Sequence, residues 1–266
     1  MKNIDNKLRE YIKSLGLDTF GIIRYELDSL CTIISIAFPY NHLDTTNNNG
    51  FSIYTKRLDY HKIVRLYLNR ICEFLIQNGY SATPYVDSNS LPEKHIAELA
   101  GVGFIGKNHL IITKKYGSYV FLGEIITDFV PQIIDFPIKN LCGSCSQCQN
   151  ACPTNGINDT NKCISYLTQK KELTQEEINL LQGQIFGCDI CQNICPHNKY
   201  ITKSSIPEFK VLNYMEHEPS FYTNIDNRFF KNYIKQTSCG WRGKNVIIRN
   251  AQLAVKFNEK KENRPH

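Results

Sequence analysis

Apolar positions recur at helical spacing over residues 5–15, where Leu8, Tyr11, Ile12 and Leu15 share one face and Gly16 offers a stop. Two β-rich runs come next, Thr19 to Tyr25 and Cys31 to Ala37. The second is nearly unbroken in apolar residues and so predicts a buried strand. Asn41 to Gly50 is polar and ends in Asn-Asn-Asn-Gly, which reads as a loop. The clearest helix signal covers 56–77, with Leu58, Val64, Tyr67, Leu68, Ile71, Phe74 and Leu75 along one face and Asn78-Gly79 closing it. Thr83 to Val86 reads as a short strand running into Asp87. Ser90-Leu-Pro-Glu93 then has the form of a capping box opening a helix to Ala100. Leu110 to Thr113 and Tyr119 to Ile126 predict further strands around a turn at Tyr116-Gly117. A last helix is expected over Asn245 to Phe257, with the charged tail from Asn258 expected to fray.

These elements predict an α+β fold. A mixed α/β domain occupies 1–135, and Pro131 to Asn140 links it to the next region. That region, of different character, covers 136–205, and a short helical segment covers 206–266. Composition adds bounds. An apolar fraction of 42% in 266 residues fits a real core, and a net charge of +6 permits a polyanionic partner without demonstrating one. The first ten residues lack the apolar stretch of a signal peptide, and Leu30 to Phe38 is too short to span a bilayer, so the expected setting is the reducing cytoplasm with no membrane contact.

The middle region carries most of the 11 cysteines. It reads Cys142-x2-Cys145-x2-Cys148-x3-Cys152-Pro, then Cys163, then Cys188-x2-Cys191-x3-Cys195-Pro. The first run is the bacterial ferredoxin pattern for cubane iron–sulfur clusters, in which the fourth cysteine serves the other cluster. A second full run would need a cysteine at 185, where Ile185 stands, and Cys163 can supply the missing thiolate. The pattern predicts two [4Fe–4S] clusters in a ferredoxin-like domain: Cys142, Cys145, Cys148 and Cys195 for one, Cys152, Cys163, Cys188 and Cys191 for the other. Zinc favours two well-separated C-x2-C knuckles, and disulfides favour secreted chains, so both fit less well. Cys31, Cys72 and Cys239 read as small core residues.

Other motifs divide between functional and structural readings. Gly101-Val-Gly103-Phe-Ile-Gly106-Lys107-Asn108 comes after a helix rather than a strand, unlike a dinucleotide turn, and Asn108 stands where a P-loop needs a hydroxyl. Asp87, at a strand's end, is either a functional acid or an Asx turn feeding the helix. In Asp59-Tyr60-His61 the acid suits a helix dipole. Trp241-Arg242-Gly-Lys244…Arg249 could meet phosphate and stack on a base, or form a solvated basic loop.

As a set, these residues resemble the epoxyqueuosine reductase family of tRNA queuosine synthesis. The resemblance runs through Asp59-Tyr60-His61-Lys62, Tyr85-Val86-Asp87-Ser88, Ala97 to Asn108, Tyr116 to Glu124, Cys163-Ile-Ser165-Tyr-Leu-Thr168, Gly187 to Cys191 and Trp241 to Ala251, in the family's order over about residues 50–255. It implies an N-terminal domain that binds cobalamin as cob(II)alamin with no protein ligand beneath the cobalt, and clusters that feed it electrons. An aspartate matching Asp87 supplies the proton that lets the epoxide oxygen leave as water. Burial is expected to raise the pKa of that acid. By the same resemblance Lys107, Asn108, Ser118, Ser165 and the loop glycines line the corrinoid, with Tyr60 and His61 as further contacts. Trp241, Arg242, Lys244 and Arg249 would then meet tRNA. An external donor such as a flavodoxin or ferredoxin and a monomeric state complete the expectation.

The chain departs from the family's pattern in three places. It lacks an Arg-x-x-Pro-type segment before Cys31, shows Ser52 where some members have a cysteine, and ends near 266 without a helical-repeat extension. Two rival readings remain: a corrinoid and iron–sulfur reductase of another substrate such as an organohalide, and an electron-transfer protein without catalysis of its own.

Overall fold

The structure, a computed structural model, describes residues 4–42 and 48–262. It divides into two compact units that interleave along the chain. One takes in the described parts of Met1–Asn41, Tyr60–Cys145 and Pro196–Pro207; the other those of His42–Asp59, Ser146–Cys195 and Glu208–His266. These units replace the three consecutive segments expected from sequence. The link 131–140 belongs to the first unit, because buried Asp5 accepts from the amides of Gln132 and Ile133, and Asp135 accepts from the amide of Ile22.

The first unit is built on a four-stranded antiparallel sheet. Helix α1 (Ile4–Ser14) leads into β1 (Phe20–Glu26) and β2 (Leu30–Pro39), which pair as a hairpin. Helix α2 (Tyr60–Gln77) is followed by β3 (Ala82–Tyr85), α3 (Glu93–Leu99), the two-stranded hairpin β4 (Phe104–Ile105) and β5 (Ile111–Ile112), and β6 (Val120–Thr127). The strand order is β1-β2-β6-β3. Pro84 sits in β3, an edge strand, where its missing N–H costs no ladder bond.

Alternation along β2 sends Ile33 and Ala37 to one face, where they join Ile23, Ile96, Ala97, Ala100, Val102, Ile111, Tyr116 and Val120. The other face receives α2: a side chain on Gly123 would strike Val64, Leu68 and Phe38. On the α3 side, buried Ser35 and Glu124 stand directly opposite each other, hydrogen-bonded at 3.1 Å.

The second unit holds short helices: α4 (Gln147–Ala151), α5 (Ile164–Leu167), α6 (Gln175–Leu180), α7 (Ile190–Asn193) and α8 (Asn227–Asn232). The longer α9 (Lys244–Glu262) closes it. Residues around Phe51 run beside Phe186, and both enter a core with Met215, Tyr222, Ile234, Ile247, Ala251 and Ala254. Buried Asn250 fastens α9 by donating to the carbonyls of Thr168 and Ile185.

Four local expectations change. The helix read from 56 begins at Tyr60, because Leu58 bridges to Thr237 and the Asp59 amide donates to Gln236, leaving those groups no helical partners. The Ser90 capping box does not form; Pro92 precedes the first helical residue, and Glu93 instead accepts from the Asn89 side chain. The strand at 110–113 shrinks to β5, outside the main sheet. The tail stays helical to Glu262, with Lys260 and Lys261 suiting the negative end of the helix dipole. Of the loop read over 41–50, residues 43–47 lie outside those described. Cys72 and Cys239 are buried, as expected of core cysteines. Among the described residues no helix is long and apolar enough to cross a membrane.

Burial, and then the nearby charge of Glu93, pushes Glu124 well above its ordinary value of 4.5, against the hydrogen bond from Ser35. With the folded value raised, the unfolded chain binds fewer protons above about pH 4.5, and stability falls as pH rises. Glu124→Gln should remove this loss. Its melting temperature relative to the parent is expected to climb between about pH 5 and pH 8, and a difference flat with pH would show that Glu124 does not titrate in that range.

Candidate functional site

Pairing of β3 with β6 sets Tyr85 opposite Glu124, and the chain leaves the sheet through buried Val86 into Asp87. Asp87 has φ of 49°, a left-handed conformation that aspartate tolerates better than most residues. Its side chain is 55% exposed. The first turn of α2 lies against it. The Tyr60 hydroxyl donates to Asp87 Oδ2 at 2.5 Å, and His61 Nε2 lies 3.2 Å from the same oxygen. Tyr60 is held in turn by stacking, on Phe121 of β6 at 4.2 Å and on His61 at 4.2 Å.

Tyr60 and His61, expected as further cofactor contacts, converge on the acid, and one expectation changes. Asp87 is lowered, not raised, from its ordinary range: the hydrogen bond from His61 is the largest cause, burial opposes it, and Tyr60 adds to it. Half exposure leaves too little desolvation to reverse the sign.

The glycine-rich loop also changes meaning. A side chain on Gly101 would strike the Phe136 carbonyl, and one on Gly103 the Ile112 carbonyl. Both glycines are therefore required by protein packing, without appeal to a cofactor. Lys107 reaches the cysteine region: its Nζ donates to the carbonyls of Gly143 and Cys145 at 2.8 and 2.9 Å. Asn140 joins the same loop to Ile105 and caps the Cys142 amide. Ser118 is buried against Asn198, donating its amide to Oδ1 and accepting from Nδ2. Asn108 differs. It is buried, yet its Nδ2 has no hydrogen-bond partner, an unfilled donor of the kind an amide-rich ligand would satisfy.

In the second unit Cys148 lies on α4, Cys152 ends it, Cys163 precedes α5, and Cys188, Cys191 and Cys195 surround α7. Ser165 stands on α5, two residues beyond Cys163. Burial pushes the Cys188 thiol up to about 11, and the charges of Asp189, Cys163 and Cys152 add to it. Burial likewise pushes Cys191 up to about 12, with Cys188, Cys163, Asp189 and Cys148 adding. Cys152 runs the other way: burial opposes ionisation, but amides around it, including that of Gly156 at 3.1 Å, hold it below the ordinary value. Sulfurs from three parts of the chain thus share one neighbourhood, a soft donor set suited to iron–sulfur ligation. Among the described residues no three His, Cys, Asp or Glu side chains gather as ligands of one metal ion. The fit to clusters rests on the donor set and its spacing.

Sequence reasoning missed a charge group beside this run, in which Lys56 and Arg57 are buried and Asp189 half-buried. Asp189, between Cys188 and Cys191, accepts from the Ile53 amide at 2.6 Å and from Gln192 at 3.0 Å. Buried Lys56 and Arg57 act on its charge, and Lys56 pairs with Glu216 at 2.9 Å. Nothing in local periodicity marks these residues, since both cations fall at the start of the helix expected over 56–77.

Trp241 is 63% exposed, with the Arg242 guanidinium 3.8 Å from its ring centre, and Lys244 opens α9. Arg249 departs from the tRNA expectation. Its guanidinium donates to the carbonyls of Lys170 and Lys171 and to Asn250, so its donors hold the protein together.

An exposed acid gripped by Tyr60 and His61 stands in a chain whose eight-cysteine array defines an iron–sulfur protein. Comparison with known proteins is more specific. The model of epoxyqueuosine reductase QueG matches residues 23–88, and that of a 4Fe-4S double cluster binding domain matches 141–198. An epoxyqueuosine reductase of Lactococcus garvieae is 33% identical over 276 residues, spanning 96% of this chain and 73% of its own. A crystal structure of epoxyqueuosine reductase with an epoxyqueuosine-modified tRNA stem loop superposes with a TM-score of 0.87, at 30% identity over 96% of this chain and 81% of that one. The Bacillus subtilis enzyme, in a form whose catalytic aspartate loop is swung out of the active site, gives a TM-score of 0.85 at 30% identity, over 97% of this chain and 82% of that one. The chain belongs to the epoxyqueuosine reductase family. It spans about half the length of other curated relatives, 54% of the Bacillus anthracis protein at 39% identity over 74% of this chain.

His61→Ala removes the largest cause of the lowered Asp87 pKa, so the carboxyl should titrate closer to its ordinary 3.8. Carbon-13 NMR of labelled aspartate reads this directly. Because the folded value is depressed, the grip contributes above the ordinary value and is lost as pH falls through the folded one. A midpoint unmoved by the substitution would show that Tyr60 alone sets the carboxyl.

Proposed function

We propose that this protein reduces epoxyqueuosine to queuosine in tRNA, with Asp87 as the proton donor. The observation that carries the reading is the hydrogen-bonded Tyr60–His61–Asp87 group at the end of β3, in a chain belonging to this reductase family. Removing an epoxide oxygen as water consumes two electrons and two protons. Two [4Fe–4S] clusters and a corrinoid, when bound, supply the electrons and the reducing centre.

The chain's own residues do the rest. Cys142, Cys145, Cys148 and Cys195 hold one cluster, and Cys152, Cys163, Cys188 and Cys191 the other. Lys56 and Arg57 set positive charge against the thiolate-rich region of Cys188 and Cys191, as their pull on Asp189 supports. Asn108 offers its unfilled Nδ2 to the corrinoid, with Ser118 and Ser165 as further candidates, while Lys107 orders the Cys142–Cys145 loop.

Asp87, ionised by its hydrogen bonds, must gain a proton before it can give one. His61 in its protonated form can pass it across 3.2 Å to Oδ2, with the Tyr60 hydroxyl steadying that oxygen. Exposure of Asp87 lets a bulky RNA substrate reach it. Trp241, stacked with Arg242, is suited to a splayed base, and Arg242 and Lys244 to phosphate. The substrate puts the reaction in the cytoplasm, with electrons arriving from a carrier such as a flavodoxin or ferredoxin.

The test is anaerobic reconstitution with iron, sulfide and cobalamin, then metal analysis and an assay on epoxyqueuosine tRNA. Retained cobalt, about eight irons per chain and queuosine as product are expected. Iron without cobalt would favour a plain electron carrier. Asp87→Asn should keep both metals and lose about 10²- to 10⁴-fold in turnover; parent-level turnover would remove Asp87 from the chemistry. Cys163→Ala should lower iron to about four per chain. Eight irons in that variant would overturn the ligand assignment.

A further inference from the structure

Two separate sets of bonds hold Asp87. Tyr60 and His61 grip the carboxylate; the backbone behind it is held from α3. Glu93, the first residue of α3, accepts from the Asn89 side chain at 2.8 Å, and the Asp87 backbone amide faces its carboxyl closely enough to favour the charged form. Asn89 in turn accepts from the Leu91 amide at 2.7 Å and donates its own amide to the Asp87 carbonyl at 2.5 Å. The Glu93 amide closes the turn on the Leu91 carbonyl at 2.9 Å. Every one of these bonds stabilises the turn in which Asp87 keeps its left-handed φ of 49°.

Apolar anchoring of the same segment is sparse. Val86 is buried, but Asp87, Ser88 and Ser90 are exposed, and Asn89 and Leu91 are half-buried. Few buried contacts and a backbone held by a handful of side-chain bonds are the features of segments that can open without the rest of a fold. Glu93 sits in a charged surrounding. Burial, first, and the Asp87 charge push it up, while the Asn89 hydrogen bond, the nearby Asp87 amide and the His61 charge hold it down. On its inner side the Glu124 carboxyl is also within electrostatic reach.

We infer that Glu93, bridged by Asn89, is a latch: a positioning residue that keeps the Asp87 loop turned in for proton transfer, and whose release lets the loop leave. The inference rests on Asp87 being the acid of the proposed reaction. The swung-out catalytic loop of the Bacillus subtilis relative shows that such a loop can occupy a second position in that protein.

The experiment compares the reconstituted parent with Glu93→Ala, Glu93→Gln and Asn89→Ala. Backbone hydrogen exchange over Asp87–Leu91 is measured without substrate, and kcat and KM are measured on epoxyqueuosine tRNA. In Glu93→Ala, exchange should quicken across the loop and not in β6. Its kcat should fall about 10²-fold, the usual effect of misplacing a reacting group by about an ångström, with KM for tRNA and iron content unchanged. Glu93→Gln keeps one carbonyl acceptor and should lose less. Parent-rate exchange or an unchanged kcat in Glu93→Ala would overturn the latch. Should Glu93→Ala not fold, Asn89→Ala decides by the same two readings. If the parent itself fails to reduce epoxyqueuosine tRNA, the proposed function falls while the exchange measurement still decides the latch.

Discussion

Antiparallel pairing of β6 with β2 on one side and β3 on the other is the constraint on which the first unit depends. A strand has a strict two-residue period, so a slip of one residue would turn every side chain of β6 to the opposite face. Gly123 would no longer lie under α2, where Val64 and Leu68 leave no room for a side chain. Glu124 would lose Ser35 and lie against the apolar underside of α2. Phe121 would no longer offer its face to Tyr60. The register that packs the core is thus the same register that delivers the acid and its partners to one edge of the sheet.

Much of this was legible in the chain. The buried strand at 31–37, the helix ending at Asn78-Gly79 and the strand running into Asp87 are carried by periodicity, which local sequence records directly. The cysteine array was legible for a different reason: spacing of ligands along a loop is itself the ligand geometry. Where local pattern failed, a distant partner had taken over. Leu58 fits the helical face of α2 by spacing, yet its backbone bonds to Thr237. Ser90 and Glu93 have capping-box spacing, yet Asn89 reaches Glu93 first because the chain has already turned at Asp87.

The site was less legible than the fold, and electrostatics explains why. A sequence shows which residues can ionise but not how much water reaches them. Asp87 was expected to be buried and raised. Its exposure weakens desolvation, and two donors on one oxygen then decide the sign. The carboxyl buried deeply enough to be raised strongly is Glu124, on a strand that reads as core. Lys56, Arg57 and Asp189 stayed hidden for the complementary reason. A buried ion group is stable only when all its members arrive together, and they are separated by more than a hundred residues.

The glycine-rich loop illustrates the difference between a motif and its cause. Close approach of backbone is what such loops permit, and nucleotide or corrinoid ligands are common beneficiaries. Here the approaching groups at Gly101 and Gly103 are carbonyls of the protein itself. That close packing has a consequence for the neighbouring residues. With the loop fixed against Phe136 and Ile112, Lys107 and Asn108 point from a rigid base. Lys107 can then fasten the cysteine loop, while Asn108 keeps a donor without a partner in a place that packing has closed to water. A buried amide donor left unfilled costs about 1–3 kcal/mol, so rigidity has fixed an unfavourable arrangement that a ligand bearing a carbonyl would relieve. Rigidity of the loop, rather than openness, is therefore what sets the positions of Lys107 and Asn108.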